Sequence, residues 1–160
     1  MRGAGPAARA LVDQHGRVVK DLRISVTPRC NFRCTYCDPL GMGMREPTGT
    51  VSVGDVANVI EAAVSLGMTS VRFTGGEPLI RKDLPEMIRH AKRVAGVPDV
   101  AITTNGSLLA RRLPDLLEAG LDRVNVSLDA LDPEVFRRVS GGASIGPVLQ
   151  GIEAALAAGM

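Results

Sequence analysis

Three cysteines, Cys30, Cys34 and Cys37, lie in the stretch PRCNFRCTYCDP, and the chain has no others. Their C-x₃-C-x₂-C spacing gathers three thiols into one short loop. An odd number packed this closely is a poor disulfide framework and a natural metal site. Two chemistries fit. Three thiolates can hold three irons of a [4Fe–4S] cube and leave the fourth iron open, as a catalytic centre requires. Alternatively, the three thiolates and a histidine, His15 or His90, can close a tetrahedral zinc site. His90 falls inside a helical pattern, an awkward place from which to reach the loop. The spacing favours iron–sulfur and leaves zinc open.

The loop needs a scaffold, and the rest of the chain supplies one. LRISVT (22–27) reads as a strand that runs straight into the cysteines. VSVGDVANVIEAAVSLG (51–67) has helical spacing at Val56, Val59, Ile60, Ala63 and Val64, with Ser52 to cap its start and Gly67 to end it. SVRFTGG and DLPEMIRHAKRVA form a second strand–helix pair, with Asp83 expected as the N-cap. VAITTNG with SLLARRLPDLLEAG is the third, and RVNVSLD with GPVLQGIEAALAAG (146–159) the fourth. Strands alternating with helices across short loops predict a parallel α/β sheet. In barrels and doubly wound sheets alike, chemistry collects at the carboxyl ends of the strands. The cysteine loop, TGGEP, TTNG and SLD all fall there, so four polar motifs should meet at one mouth. Four units cannot close a barrel, and the fourth strand is expected to present an unpaired edge.

The bulk numbers fit one soluble α/β domain. Of 160 residues, 45% are hydrophobic and 22% charged, which is enough for a core and ordinary in charge. A net charge of +2 is too small to argue for nucleic acid or an anionic membrane. No apolar run approaches a membrane span, and no leader pattern opens the chain. Cytoplasmic location is the default reading.

The cysteine motif with an aromatic before its last cysteine, and GGEP one βα unit later, resembles the radical S-adenosylmethionine (SAM) superfamily. DLRISVTPRCNFRCTYC, VRFTGGEPLIRKDL, ITTNG, RVNVSLDALDPEVFRRVSG and VLQGIEAALAAG together resemble one branch of it. That branch is the molybdenum cofactor biosynthesis protein A family, the GTP 3′,8-cyclases. The likeness runs from about residue 16 onward. The resemblance implies a partial (βα) radical SAM barrel of about four parallel units, incomplete at the C-terminus. Residues 1–20 would be a lead-in and 21–160 the first part of the core domain.

By the same resemblance, Cys30, Cys34 and Cys37 ligate a [4Fe–4S] cluster, and SAM takes the open iron. Tyr36, Gly76 and Ser127 match the family's SAM contacts. Arg23, Arg72 and Thr103 match its GTP contacts. The implied reaction cleaves SAM to a 5′-deoxyadenosyl radical that removes the ribose 3′ hydrogen of GTP, so that the carbon attacks C8 of guanine. No Walker or Rossmann phosphate loop occurs, so GTP rests on the resemblance alone. On the residues themselves, arginine inside a strand must face solvent or a ligand, and its fork suits phosphate. Gly-Gly lets backbone approach a ligand closely. The electron donor is unidentified, and a homodimer is allowed.

The chain departs from that family in several places. Pro28 stands where the family has Asp, Asp38 follows the last cysteine where the family has Met, and Ser70 replaces a lysine. An acid beside the cluster loop would disfavour reduction. Family members run to about twice the length and carry a second three-cysteine cluster. The expectation is therefore a fragment that does not turn over GTP by itself. Two other readings compete: a radical SAM maturase acting on a peptide or cofactor, and a non-catalytic metal-binding remnant.

Overall fold

The computed structural model describes residues 10–37 and 51–160. Asp38 lies outside them. Four strands pair side by side in sequence order, all parallel: β1 (Asp21–Ser25), β2 (Ser70–Thr74), β3 (Asp99–Thr104) and β4 (Arg123–Val126). Five helices accompany them: α1 (Val53–Ser65), α2 (Leu84–Arg89), α3 (Leu109–Ala119), α4 (Pro133–Val139) and α5 (Gly146–Ala157). The four strand–helix pairs read from the sequence are all present. The helix α4 is additional; its start is set by Asp132, whose carboxylate accepts from the Glu134 and Val135 amides, with Pro133 in the first turn.

Helix α1 begins as its sequence predicts. Ser52 accepts from the Asp55 amide, and the Asp55 carboxylate returns a bond to the Ser52 amide. Helix α2 does not. Asp83 occupies the N-cap position but makes no capping bond. Its carboxylate is drawn instead to Arg81, whose Nε donates to Asp83 Oδ1 at 2.8 Å. The guanidinium has the stronger claim because it pairs opposite charges through two bonds, whereas a capping amide offers one bond and no charge. Arg81 also donates to the carbonyls of Val26 and Val51, tying the end of β1 to the approach of α1. The predicted second helix also breaks regular spacing, because His90–Val94 forms a π-helical turn.

Strand alternation sorts the sheet into two faces. Leu22, Ile24, Val71, Phe73, Val100 and Ile102 belong to the apolar face, where Val71, Phe73, Val100 and Ile102 are buried with Ile60 of α1, Leu84 and Met87 of α2 and Leu116 of α3. The register places Arg23 opposite Arg72, Arg72 opposite Ala101 and Ala101 opposite Arg123 on the other face. Thr103 lies opposite Asn125 one step further on that face. Here Arg23 and Asn125 are exposed, and Arg72 and Thr103 are half-buried. Helices cover one side and leave the other polar. A smaller core of Phe136, Ile145 and Val148 joins α4 and α5 and takes in Phe32 of the cysteine loop.

The phenyl ring of Phe73 sits at the centre of the larger core, fully buried. Phe73→Ala should lower unfolding free energy by about 3–5 kcal/mol in a denaturant titration, since the cavity adds to the lost transfer energy.

A candidate iron–sulfur and nucleotide mouth

The cysteine loop leaves β1 at its carboxyl end and is held from two sides. On one side is the turn after β2. The Gly76 amide donates to the Thr27 carbonyl at 2.6 Å, and the Glu77 amide to the Arg29 carbonyl at 2.8 Å. A Cβ on Gly75 would stand 2.3 Å from the Thr27 oxygen, and one on Gly76 2.2 Å from the Arg29 oxygen. Gly75 also has φ +149. The two glycines are thus needed for backbone to meet the loop's own backbone, before any ligand is considered. The Gly76 amide is spent on this contact.

On the other side is the end of α4. Arg33 and Thr35 donate their amides to the carbonyls of Ser140 and Val139. Gly141, at φ +74, lets Arg33 approach so closely that a Cβ would stand 2.2 Å from its oxygen. Phe32 meets Phe136 edge-on at 6.1 Å between ring centres.

Below the loop lies Glu77, fully buried. Its Oε1 accepts from the Leu79 amide and the Thr104 hydroxyl, and its Oε2 from the Asn105 amide at 2.7 Å. One carboxylate therefore joins the ends of β2 and β3. Burial pushes its pKa above the ordinary 4.5, against the lowering effect of those three donors.

The three thiols are free, with Cys30 and Cys34 half-buried and Cys37 exposed. Two N–H groups are directed at Cys30 Sγ, the Phe32 amide at 3.4 Å and the Asn105 carboxamide at 3.8 Å. All-thiolate donors with N–H groups aimed at sulfur suit an anionic iron–sulfur cluster. The zinc alternative fares worse. His90 Nε2 sits 3.0 Å from Glu61 of α1, too poorly aligned for a hydrogen bond, and His15 lies in the turn that Asp13 organises. Among the described residues, no group of three or more His, Cys, Asp and Glu side chains converges as a single ion requires. A cube makes no such demand, because each thiolate takes a different iron.

The other residues named from the sequence surround this loop. Tyr36 is 58% exposed, so it is not packed beside the loop, and its hydroxyl donates to Asp129 Oδ2 at 2.9 Å. Gly76 lies at the β2 end. Ser127 stands just beyond β4 rather than within it, exposed, its amide bonded to the Thr104 carbonyl. Arg23, Arg72 and Thr103 share the polar face below. Ser70, at the far end of β2, donates to Asp99, which also binds Arg123. Arg23 and Arg72 stand directly opposite each other, and among the described residues neither has an ion-pair partner. Like charges across a sheet repel, which an anionic ligand would relieve.

Sequence reasoning gave no role to Glu77, Asn31, Asn105, Ser107 or Asp129. An acid directly after Gly-Gly was a usable signal for Glu77, since its carboxylate can accept from an amide just downstream, as it does from Leu79. The others were ordinary polar loop residues until the fold brought them together.

Glu77 makes a pH prediction. Because its folded pKa is raised, the stability it lends in the protonated form is complete below about pH 4.5 and is lost as pH rises through the folded value. Asp13, Asp55, Asp83 and Asp99 are lowered from 3.8, each mainly by hydrogen bonds, so their contribution disappears only as pH falls below that. Glu77→Gln should flatten the decline above pH 4.5 in unfolding free energies measured by denaturant between pH 3 and 7, and leave the acid limb intact.

A fold built this way has relatives. The Radical SAM superfamily model matches residues 24–160. A GTP 3′,8-cyclase of Xanthomonas axonopodis pv. citri is 46% identical over 155 residues, covering 92% of this chain and 46% of that protein. One from Mycolicibacterium smegmatis is 46% identical over 157 residues, covering 97% and 44%. The chain spans about half the length of the curated relatives it matches. The crystal structure of BtrN in complex with AdoMet and 2-DOIA superposes with a TM-score of 0.60 at 25% identity, over 84% of this chain and 55% of that one. With the cysteine loop at the carboxyl ends of a parallel α/β sheet and a family match across most of its length, the chain belongs to the radical SAM superfamily.

Proposed function

We propose that this chain forms the cluster- and SAM-binding half of a GTP 3′,8-cyclase acting in molybdenum cofactor biosynthesis. Residues 21–160 are then the first part of the radical SAM core, with 1–20 as a lead-in. The observation that carries the reading is the pairing of a pinned three-cysteine loop with a polar sheet face on which Arg23 and Arg72 have no ion-pair partner among the described residues. The relatives named above support the substrate assignment, because they are GTP 3′,8-cyclases at about 46% identity.

Cys30, Cys34 and Cys37 would hold a [4Fe–4S] cluster, which when bound supplies the electron that cleaves SAM to a 5′-deoxyadenosyl radical. The protein's own residues orient the reactants. With its amide spent on Thr27, Gly76 offers only its carbonyl, the acceptor that an ammonium group needs. Tyr36, held by Asp129, presents an exposed ring, and Ser127, exposed just beyond β4, would add its hydroxyl to the SAM site. Arg23 and Arg72 would bind the triphosphate and Thr103 the nucleoside, all below the SAM position on the same face. The half-buried setting of Arg72 strengthens its hold on phosphate by limiting water.

The test is electron paramagnetic resonance on the chain, reconstituted anaerobically with iron and sulfide and then reduced. A [4Fe–4S] signal that changes on adding SAM is expected. A signal indifferent to SAM overturns the cosubstrate site, and zinc in place of a cluster overturns the enzymatic reading. GTP binding tests the substrate separately. Arg72→Ala should weaken it about 10-fold or more, the worth of one charged hydrogen bond. A radical SAM maturase would show no such dependence.

A further inference from the structure

Three side chains above the buried Glu77 form a closed ring. The Asn105 carboxamide donates to Asn31 Oδ1 at 2.9 Å. The Asn31 carboxamide donates to Ser107 Oγ at 2.9 Å. The Ser107 hydroxyl donates to Asn105 Oδ1 at 2.7 Å and closes the circuit. The Ser107 amide adds a second bond to the same oxygen at 3.0 Å. The circuit of side chains could close in either sense, and the Ser107 backbone N–H, which can only donate, sets the sense by requiring an oxygen of Asn105 opposite it; a flipped Asn105 would set its NH₂ against that donor.

This leaves one Asn105 N–H uncommitted to the ring, and it is directed at Cys30 Sγ, 3.8 Å away. The backbone of Asn105 is itself anchored, its amide on Glu77 Oε2. Asn31 adjoins Cys30 in sequence, so the ring joins the cysteine loop to the β3–α3 turn through side chains alone.

We propose that Asn105 is a positioning residue for Cys30 and that its free N–H raises the reduction potential of the cluster this loop would carry. The inference rests on reading the loop as an iron–sulfur site. Its physical basis is charge: an added electron places more negative charge on the thiolate sulfurs, so an N–H dipole aimed at one of them stabilises the reduced form more than the oxidised. Glu77 acts through Asn105 by fixing its backbone, and the ring fixes its side chain. Neither Asn105 nor Ser107 needs to touch SAM or nucleotide for this role.

The test compares the chain with Asn105→Ala and Ser107→Ala, each reconstituted anaerobically, assayed for iron and sulfide, and titrated to its midpoint potential without SAM by electron paramagnetic resonance. Asn105→Ala should keep its cluster content and shift to a more negative potential, with a several-fold smaller reduced fraction at the parent's midpoint. Ser107→Ala, which removes the hydroxyl from the ring and leaves the carboxamide held only by Asn31 and the backbone amide of residue 107, should shift less and in the same direction. Loosened packing alone would admit water and shift the potential upward, so the sign separates the two roles. A full cluster at unchanged or higher potential in Asn105→Ala overturns the proposal and leaves the cluster site standing. Should Asn105→Ala not take up a cluster, Ser107→Ala decides, and an unchanged potential there overturns it. A parent chain that binds no cluster overturns the site and the proposal together.

Discussion

The Glu77 carboxylate, cut off from water, is the constraint on which the mouth depends. Burying a charge is costly unless donors surround it. Leu79, Thr104 and Asn105 supply them from two different chain segments. Those bonds draw the ends of β2 and β3 together, and the residues just before Glu77 then meet the cysteine loop. Gly75 and Gly76 allow that contact only because they lack side chains. The first cysteine is thus tied to a chain of contacts that begins at a buried acid.

From the opposite side, α4 completes the grip. Its last residues offer carbonyls to Arg33 and Thr35, and Phe136 packs on Phe32. The loop between Val26 and Cys37 carries little regular structure of its own, yet its backbone is fastened at both flanks. Preorganisation of this kind matters for thiolates, which repel one another as they ionise and would otherwise spread. The polar sheet face gains from the same architecture. Helices bury one side of β1–β4, and the alternation of strand side chains leaves Arg23, Arg72 and Thr103 together on the other.

Much of this was legible in the sequence. The C-x₃-C-x₂-C spacing singled out the cysteine loop, and apolar periodicity found four strands in their order and the helix after each. Ser52 announced its cap because the capping box is local chemistry. Asp83 misled because a nearby arginine competes for the same carboxylate, and propensity cannot weigh that. The helix α4 escaped notice because seven residues with two arginines show little amphipathic pattern. Gly-Gly after β2 suggested close approach to a ligand, and the approach found at Gly75 and Gly76 is to the chain's own backbone. Asn31, Asn105 and Ser107 could not be read at all, since their ring joins residues more than seventy positions apart.

The central claim is that three cysteines on this preset loop hold a cube and leave one iron for SAM. Mössbauer spectroscopy on the chain reconstituted with isotopically enriched iron, recorded with and without SAM, addresses it directly. The account predicts that one iron in four changes its isomer shift when SAM is added while the other three stay as they were. Four irons that respond alike, or not at all, would contradict it.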